Sequence, residues 1–281
     1  MSRSTWPAPA KLNLFLHVTD RREDGFHELQ TIFQFIDLQD RIEIEVNGGG
    51  VIERPTGLEG ILPDDDLVVR AAKMLQNHTD TKLGATIHVD KIIPVGGGLG
   101  GGSSDAATTL VALNSLWETG LSRQELADVG LALGADVPVF IYGRAAWAEG
   151  VGEILESVDP PEQCYLVVAP GVSVSTAEIF QAKELTRNTP KAKIAGFLPI
   201  GGRNDCEPVV VARYPEVGEA LQWLSRFGDA RMTGTGSCLF VALDNCAEAE
   251  QIRDQLPERW SGFVVKGMNK SPLTVEYSGV V

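Results

Sequence analysis

With 281 residues, 43% of them hydrophobic and 22% charged, the chain has an ordinary globular makeup. It is long enough for two domains and has no tract polar enough for disorder. A net charge of −14 argues against a nucleic-acid or anionic-membrane partner, because both need a basic surface that displaces counterions. A small anionic ligand stays compatible with this charge where basic groups gather locally.

The opening segment "MSRSTWPAPAKLNLFLHV" shows neither a continuous apolar core nor a small-residue cleavage site. No run approaches the roughly 18 apolar residues of a membrane span. Both features predict a cytoplasmic protein with no membrane partner. Cys164, Cys206, Cys238 and Cys246 form no C-x-x-C pair and stand near no histidine cluster, so reduced, mostly buried thiols are expected.

In chain order, "AKLNLFLHV" (10–18) alternates, with Leu12, Leu14, Leu16 and Val18 on one face and Lys11, Asn13, Phe15 and His17 on the other, which predicts a strand. Periodicity alone favours a solvated second face over one that lines a site. Asp24-Gly25 is a turn dipeptide, followed by "LQTIFQFIDL" and by "RIEIEV" (41–46). Three successive strands predict an antiparallel sheet. In "DDDLVVRAAKML", Leu67, Val68, Ala71, Met74 and Leu75 share a helical stripe, and Asp64 to Asp66 stand at its start, where the dipole favours negative charge.

"GATIHVDKIIPV" (84–95) reads as a strand running directly into a glycine loop. From Ser103 the pattern turns helical, with Ala106, Leu110, Leu113 and Trp117 in step. Ser122 and Glu125 form a capping box for the next helix, which ends near Gly134. Pro138 forbids a helix that simply continues, so Asp136 falls in a tight connection. Past "DPPEQ" come a strand "CYLVVA", helical stretches near 216–227 and 246–255, and a strand-like "SCLFVAL". The punctuation divides the chain into domains 1–158 and 159–281.

The segment "IPVGGGLGGGSSDAA" (93–107) admits three ligand readings. A Walker-type loop counted from Gly97 reaches Gly102, Ser103 and Ser104, with serine where the lysine belongs. A dinucleotide fingerprint can be traced through Gly96, Gly98 and Gly101, but glycine this dense satisfies almost any spacing, and antiparallel strands come first. The third is a phosphate cradle of backbone N–H groups at a helix N-terminus, with no lysine in the loop. Ordering six glycines against a helix costs entropy, which disfavours a plain surface turn.

"PAPAKLNLFLHV", "PVGGGLGGGSSDAA" and "MTGTGSCLF" (232–240) together resemble the three motifs of the GHMP small-molecule kinases, in order and over essentially the whole chain. "REDGFHELQTIFQFIDL", "GADVPVF" and "NDCEPVV" narrow the likeness to the branch acting on a cytidine diphosphate-linked methylerythritol. The resemblance implies an α+β fold of two domains: an N-terminal ATP-binding domain like ribosomal protein S5 domain 2, and a smaller C-terminal α/β substrate domain. It implies ATP as phosphoryl donor, a small-molecule alcohol as acceptor, and a monomer or homodimer.

Phosphoryl transfer to an alcohol asks the protein for positioning, charge neutralisation and a base near the hydroxyl. By the resemblance, Asp136 is that base, and Lys11 orients the hydroxyl and stabilises developing charge. Taken alone, Asp136 reads as a capping or turn aspartate and Lys11 as an exposed strand lysine. Phe26, His27 and Phe180 match positions that hold cytosine by stacking and hydrogen bonds, and Asn13 and Thr176 join them on the substrate. Phosphates fall to Gly98, Gly100, Gly101, Gly102, Ser103 and Ser104, with Pro94, Gly96, Gly97 and Leu99 completing the loop. Lys91 and Asp66 border the adenine.

Two departures stand out: Phe26 where tyrosine is common, and Asp66, whose carboxylate accepts but cannot donate, where asparagine is common. Mg2+ is implied by ATP chemistry, with ligands left open because no D-x-D cluster is present, although Ser104 aligns with a metal-contacting serine. The alternatives are a GHMP kinase of homoserine, mevalonate or a sugar, which offers no base for "DGFHEL" to grip, and a non-catalytic metabolite sensor. Retention of both Lys11 and Asp136 speaks against the sensor.

Overall fold

The computed structural model describes residues 3–56, 62, 65–194 and 202–277, so Asp64 of the acidic run lies outside it. Two long antiparallel strands form the spine, β1 (Arg3–Arg21) and β2 (His27–Asn47). The Asp24-Gly25 turn joins them, with Gly25 at φ 89°, where a side chain is disfavoured. β2 is one strand where the sequence predicts two. Gln39-Asp40 contains no glycine or proline to turn the chain, and a bulge on β2 at Asp37 and Leu38, opposite the Pro9–Ala10 step of β1, absorbs the irregularity.

β4 (Gly84–Asp90) pairs antiparallel to β2, and β3 (Ile52–Glu53) adds in parallel to β4. β5 (Ala146–Glu149) pairs with β2 at Thr31 to Phe33, and β6 (Ile154–Ser157) pairs with β5. β4 stops at Asp90, short of the predicted 84–95. There the buried Asp40 carboxylate accepts the amides of Ile92 and Ile93, which draws the chain off the sheet.

Four helices cover this half: α1 (Leu67–Thr79), α2 (Gly101–Leu116), α3 (Arg123–Leu131) and α4 (Val137–Tyr142). Asp66 caps α1 by accepting from Val68 N, and Ser122 and Glu125 form the predicted capping box on α3. α2 is buried continuously from Ser104 to Asn114, as a helix packed on all sides requires. Ile42, Ile44, Leu75, Ile87, Leu110, Leu113 and Phe140 form the core between these helices and the sheet.

The second half contributes β7 (Cys164–Ala169), β8 (Arg231–Met232), β9 (Leu239–Leu243) and β10 (Ser261–Met268). Around them stand α5 (Thr176–Gln181), α6 (Glu207–Arg213), α7 (Pro215–Leu224) and α8 (Cys246–Arg253), whereas α9 (Pro272–Tyr277) returns to the first half and buries Leu273 in its core. β10 pairs with β2 at Ile36 and Phe35 and with β7 along its length, so the sheet runs on through both halves. Residue 158 falls in the connection between β6 and β7. Where the halves meet, a core of Leu12, Ile36, Ile93, Leu99, Val167 and Val265 lies beneath the glycine loop.

Two further expectations are overturned. The second face of β1 is buried, not solvated: Lys11 and Asn13 are 2% and 3% exposed, because the glycine loop and the 233–236 segment pack over it. Cys164 and Cys246 form a disulfide, while Cys206 and Cys238 stay free and buried. Pairing of Cys164 opposite Leu243 brings the first residue of β7 beside the start of α8, a proximity that cysteine spacing does not reveal. Among the described residues no helix is long and apolar enough to cross a membrane.

Candidate active site

A cavity of about 530 Å³ opens where the two halves meet. One wall is the loop from Pro94 to Ser103, and the others include Lys11, Asn13, Asp66, Lys91, Asp136, Thr176 and Phe180. The loop is ordered from both sides. Leu99, 1% exposed, plugs the inter-half core, a burial worth about 1.5–3 kcal/mol. The Leu99 carbonyl accepts from Lys11 N at 3.0 Å, and the Gly97 carbonyl accepts from Cys238 N at 3.0 Å.

Glycine is required here by contact. A Cβ at Gly98 would collide with the Thr233 carbonyl, and one at Gly100 would press on Phe140 and Lys11. Both residues also have φ above 70°. α2 begins with Gly100 at its N-cap and no side-chain cap, whereas side chains cap α1, α3 and α5. Its first-turn amides thus stay open to an anion beside the cavity.

Lys11 is a buried cation of the site. Its Nζ lies 3.2 Å from Asp136 Oδ2, donates to Gly98 O at 3.0 Å and to Asn13 Oδ1, and sits 5.4 Å from the centre of the Phe33 ring. Asn13 is held in turn by Thr31 Oγ1 at 2.9 Å and by Thr233 Oγ1, which accepts from Asn13 N at 2.9 Å. Asp136 occupies the N-cap position of α4 but makes no side-chain cap bond. Its carboxylate, 34% exposed, faces Lys11 instead, so the capping explanation does not account for it.

Lys91 is bound between two carboxylates, Asp40 and Asp105, the latter at 2.7 Å. One ammonium cannot neutralise both. Burial pushes Asp105 up to about 7, Asp40 adds to the rise and Lys91 opposes it. Asp66 pairs with Arg54 besides capping α1, so both of its oxygens are engaged within the protein. Ser104 is fully buried, and its Oγ has no partner among the described residues.

At the far end, His27 and Phe180 stack with ring centres 5.1 Å apart and planes 26° from parallel. Phe26 is 61% exposed on the β1–β2 turn and does not line the cavity; neither Ser104 nor His27 touches it directly. Thr176 Oγ1 lies 2.8 Å from Thr235 Oγ1. Arg54, Thr31, Phe33, Asp105 and Thr235 line the cavity without having been singled out in the sequence. Thr235 and Asp105 at least sit inside quoted motifs, whereas Arg54 has no local signature.

Open amides at the start of α2 invite an anion, and the Lys11–Asp136 pair, tied to the same loop through Gly98 O, stands beside it; this arrangement defines a small-molecule phosphotransferase. Consistent with this, the family description "GHMP kinases N terminal domain" matches residues 66–144, and "GHMP kinases C terminal" matches residues 172–262. The chain belongs to the GHMP kinases, and within them to the group of the following relatives. A 4-diphosphocytidyl-2-C-methyl-D-erythritol kinase of Halorhodospira halophila is 58% identical over 273 residues, covering 96% of this chain and 95% of that protein. One from Shewanella woodyi is 55% identical, covering 95% of each. A crystal structure of 4-(cytidine 5'-diphospho)-2C-methyl-D-erythritol kinase superposes with a TM-score of 0.83 at 31% identity, covering 94% of this chain and 99% of that one. A mevalonate kinase structure at 18% identity and TM-score 0.69 shares the fold.

Proposed function

We propose that this chain transfers the γ-phosphoryl group of ATP to the 2-hydroxyl of 4-diphosphocytidyl-2-C-methyl-D-erythritol, releasing ADP, in isoprenoid precursor synthesis. The observation that carries the reading is the Lys11–Asp136 pair at 3.2 Å, set against the glycine loop on one cavity. In this account Asp136 accepts the hydroxyl proton as the acceptor oxygen bonds to γ-phosphorus and the bridging P–O bond to ADP breaks. Lys11, tied to Gly98 O, orients the hydroxyl and offsets the charge that gathers on the transferring group.

The α2 amides and loop residues Gly96 to Ser103 hold the phosphates, and Lys91 and Asp66 stand toward the adenine. Asn13 and Thr176 hold the acceptor, with His27 and Phe180 gripping its base and Phe26 covering from the turn. Mg2+, when bound, would supply charge neutralisation on the phosphates. No group of three or more His, Cys, Asp or Glu residues forms a metal cage among the described residues. Mg2+ takes few protein ligands and keeps phosphate and water oxygens; Ser104 Oγ, partnerless but buried off the cavity wall, would reach it only if the first turn of α2 opened.

The proposal extends to an ATP-binding domain up to residue 158 and a substrate domain beyond it, working in the cytoplasm as a monomer or homodimer. Coupled-assay detection of ADP with purified protein tests it. ADP release that depends on the cytidyl substrate supports the reading, and release with homoserine or mevalonate instead contradicts it.

A further inference from the structure

The two stacked rings come from different elements, since His27 opens β2 and Phe180 lies in α5. One side chain outside every quoted motif joins them. Arg187 Nε donates to His27 Nε2 at 3.0 Å, and Nη2 donates to the carbonyls of Phe180 and Ala182 at 2.9 and 2.6 Å. Nη1 donates to the Leu185 carbonyl at 3.1 Å. The guanidinium therefore closes the C-terminal end of α5 and reaches across to β2. A guanidinium has only donors and keeps its proton in proteins. His27 Nε2 must then be an acceptor, which makes the imidazole neutral with its proton on Nδ1.

We infer that Arg187 is a positioning residue for nucleobase selection: it holds His27 as the neutral Nδ1–H tautomer, a fixed donor matched to a pyrimidine edge that offers acceptors. Cytosine presents an acceptor ring nitrogen and a carbonyl on that edge, whereas uracil presents N–H at the same ring nitrogen. The inference rests on the proposed base grip of His27 and Phe180. Burial holds His27 below its usual range, and the charges of Arg187 and Arg21 lower it further. Arg21 faces His27 across the β1–β2 pair, and the neighbouring Glu28 is engaged by Arg22. The Nδ1–H bond lies in the imidazole plane, so a base held by its edge sits beside the His27 ring and not between the two rings, with the Phe180 ring left to meet its face. Arg187 grips Phe180 by its carbonyl alone, so the ring can swing aside while its backbone stays fixed.

The test combines 15N NMR of the imidazoles in the free full-length protein, which has only four histidines, with kinetics of Arg187→Met and Arg187→Lys. In the unsubstituted protein His27 should show the neutral Nδ1–H tautomer, protonating only below the ordinary histidine range. Arg187→Met should mix the tautomers and raise the pH at which His27 protonates, read from the same imidazole nitrogens. It should raise KM for that substrate about tenfold, the worth of one hydrogen bond to a fixed partner, with kcat and KM for ATP within about twofold. Discrimination against the uridine analogue should fall by a similar factor. Arg187→Lys, which returns a charge and a donor, should recover part of the tautomer preference.

A proton on His27 Nε2 in the unsubstituted protein, read without any substrate and whether or not the variants fold, overturns the Arg187 inference and leaves the base grip standing. Equal rises in both KM values with an unchanged tautomer overturn it as well, leaving Arg187 a merely structural residue. His27→Ala with normal KM for the cytidyl substrate sinks the base grip itself.

Discussion

Asp136 and Lys11 are separated by most of the N-terminal half, yet their charged atoms lie 3.2 Å apart. Changing Asp136 to Asn keeps the shape and removes the base. Turnover should fall by about 10²- to 10⁴-fold while the cytidyl substrate still binds; near-normal kcat in that variant would remove Asp136 from the role given to it. Asp105 makes a separate prediction about stability. Its folded carboxyl keeps a proton up to about pH 7, against a usual value of 3.8, so the folded state binds more protons between those limits. Its contribution to stability is then greatest at low pH and declines as pH rises from about 4 to about 7. Asp105→Asn should flatten that slope in melting temperature, and an unaltered slope would mean that another group titrates.

The glycine loop and α2 work as one element. Gly98→Ala has no room against the Thr233 carbonyl and no favourable backbone at φ 74°. We expect a loss of about 1–3 kcal/mol in stability and a larger rise in KM for ATP than for the acceptor, measured by thermal melting and kinetics. This element was legible in the sequence because its features are local: glycines, two serines and a helical stripe within one short segment. What packs upon it was not. Thr233 meets Asn13 across 220 positions and Asp40 meets Ile93 across 53, and no local pattern announces such pairs. β1 shows the converse failure: alternation placed Lys11 and Asn13 on one face correctly but could not say that a distant loop buries that face.

At the scale of the whole molecule, β10 joins β2 to β7, so both halves share one sheet and the cavity lies over their junction. The Cys164–Cys246 disulfide links residues 82 apart in the C-terminal half, and neither cysteine lines the cavity. Reduction or a Cys246→Ala change should lower stability by about 2–4 kcal/mol, with turnover at moderate temperature little changed; unaltered melting would show that the bond contributes nothing. The motif order disclosed the kinase architecture, while this bond and the continuous sheet depended on tertiary proximity. The proposed function turns on the identity of the acceptor. Phosphorus NMR of a reaction containing ATP and 4-diphosphocytidyl-2-C-methyl-D-erythritol should show one new phosphomonoester on the acceptor for each ADP formed. Absence of that resonance under conditions where the protein is folded and binds ATP would contradict it.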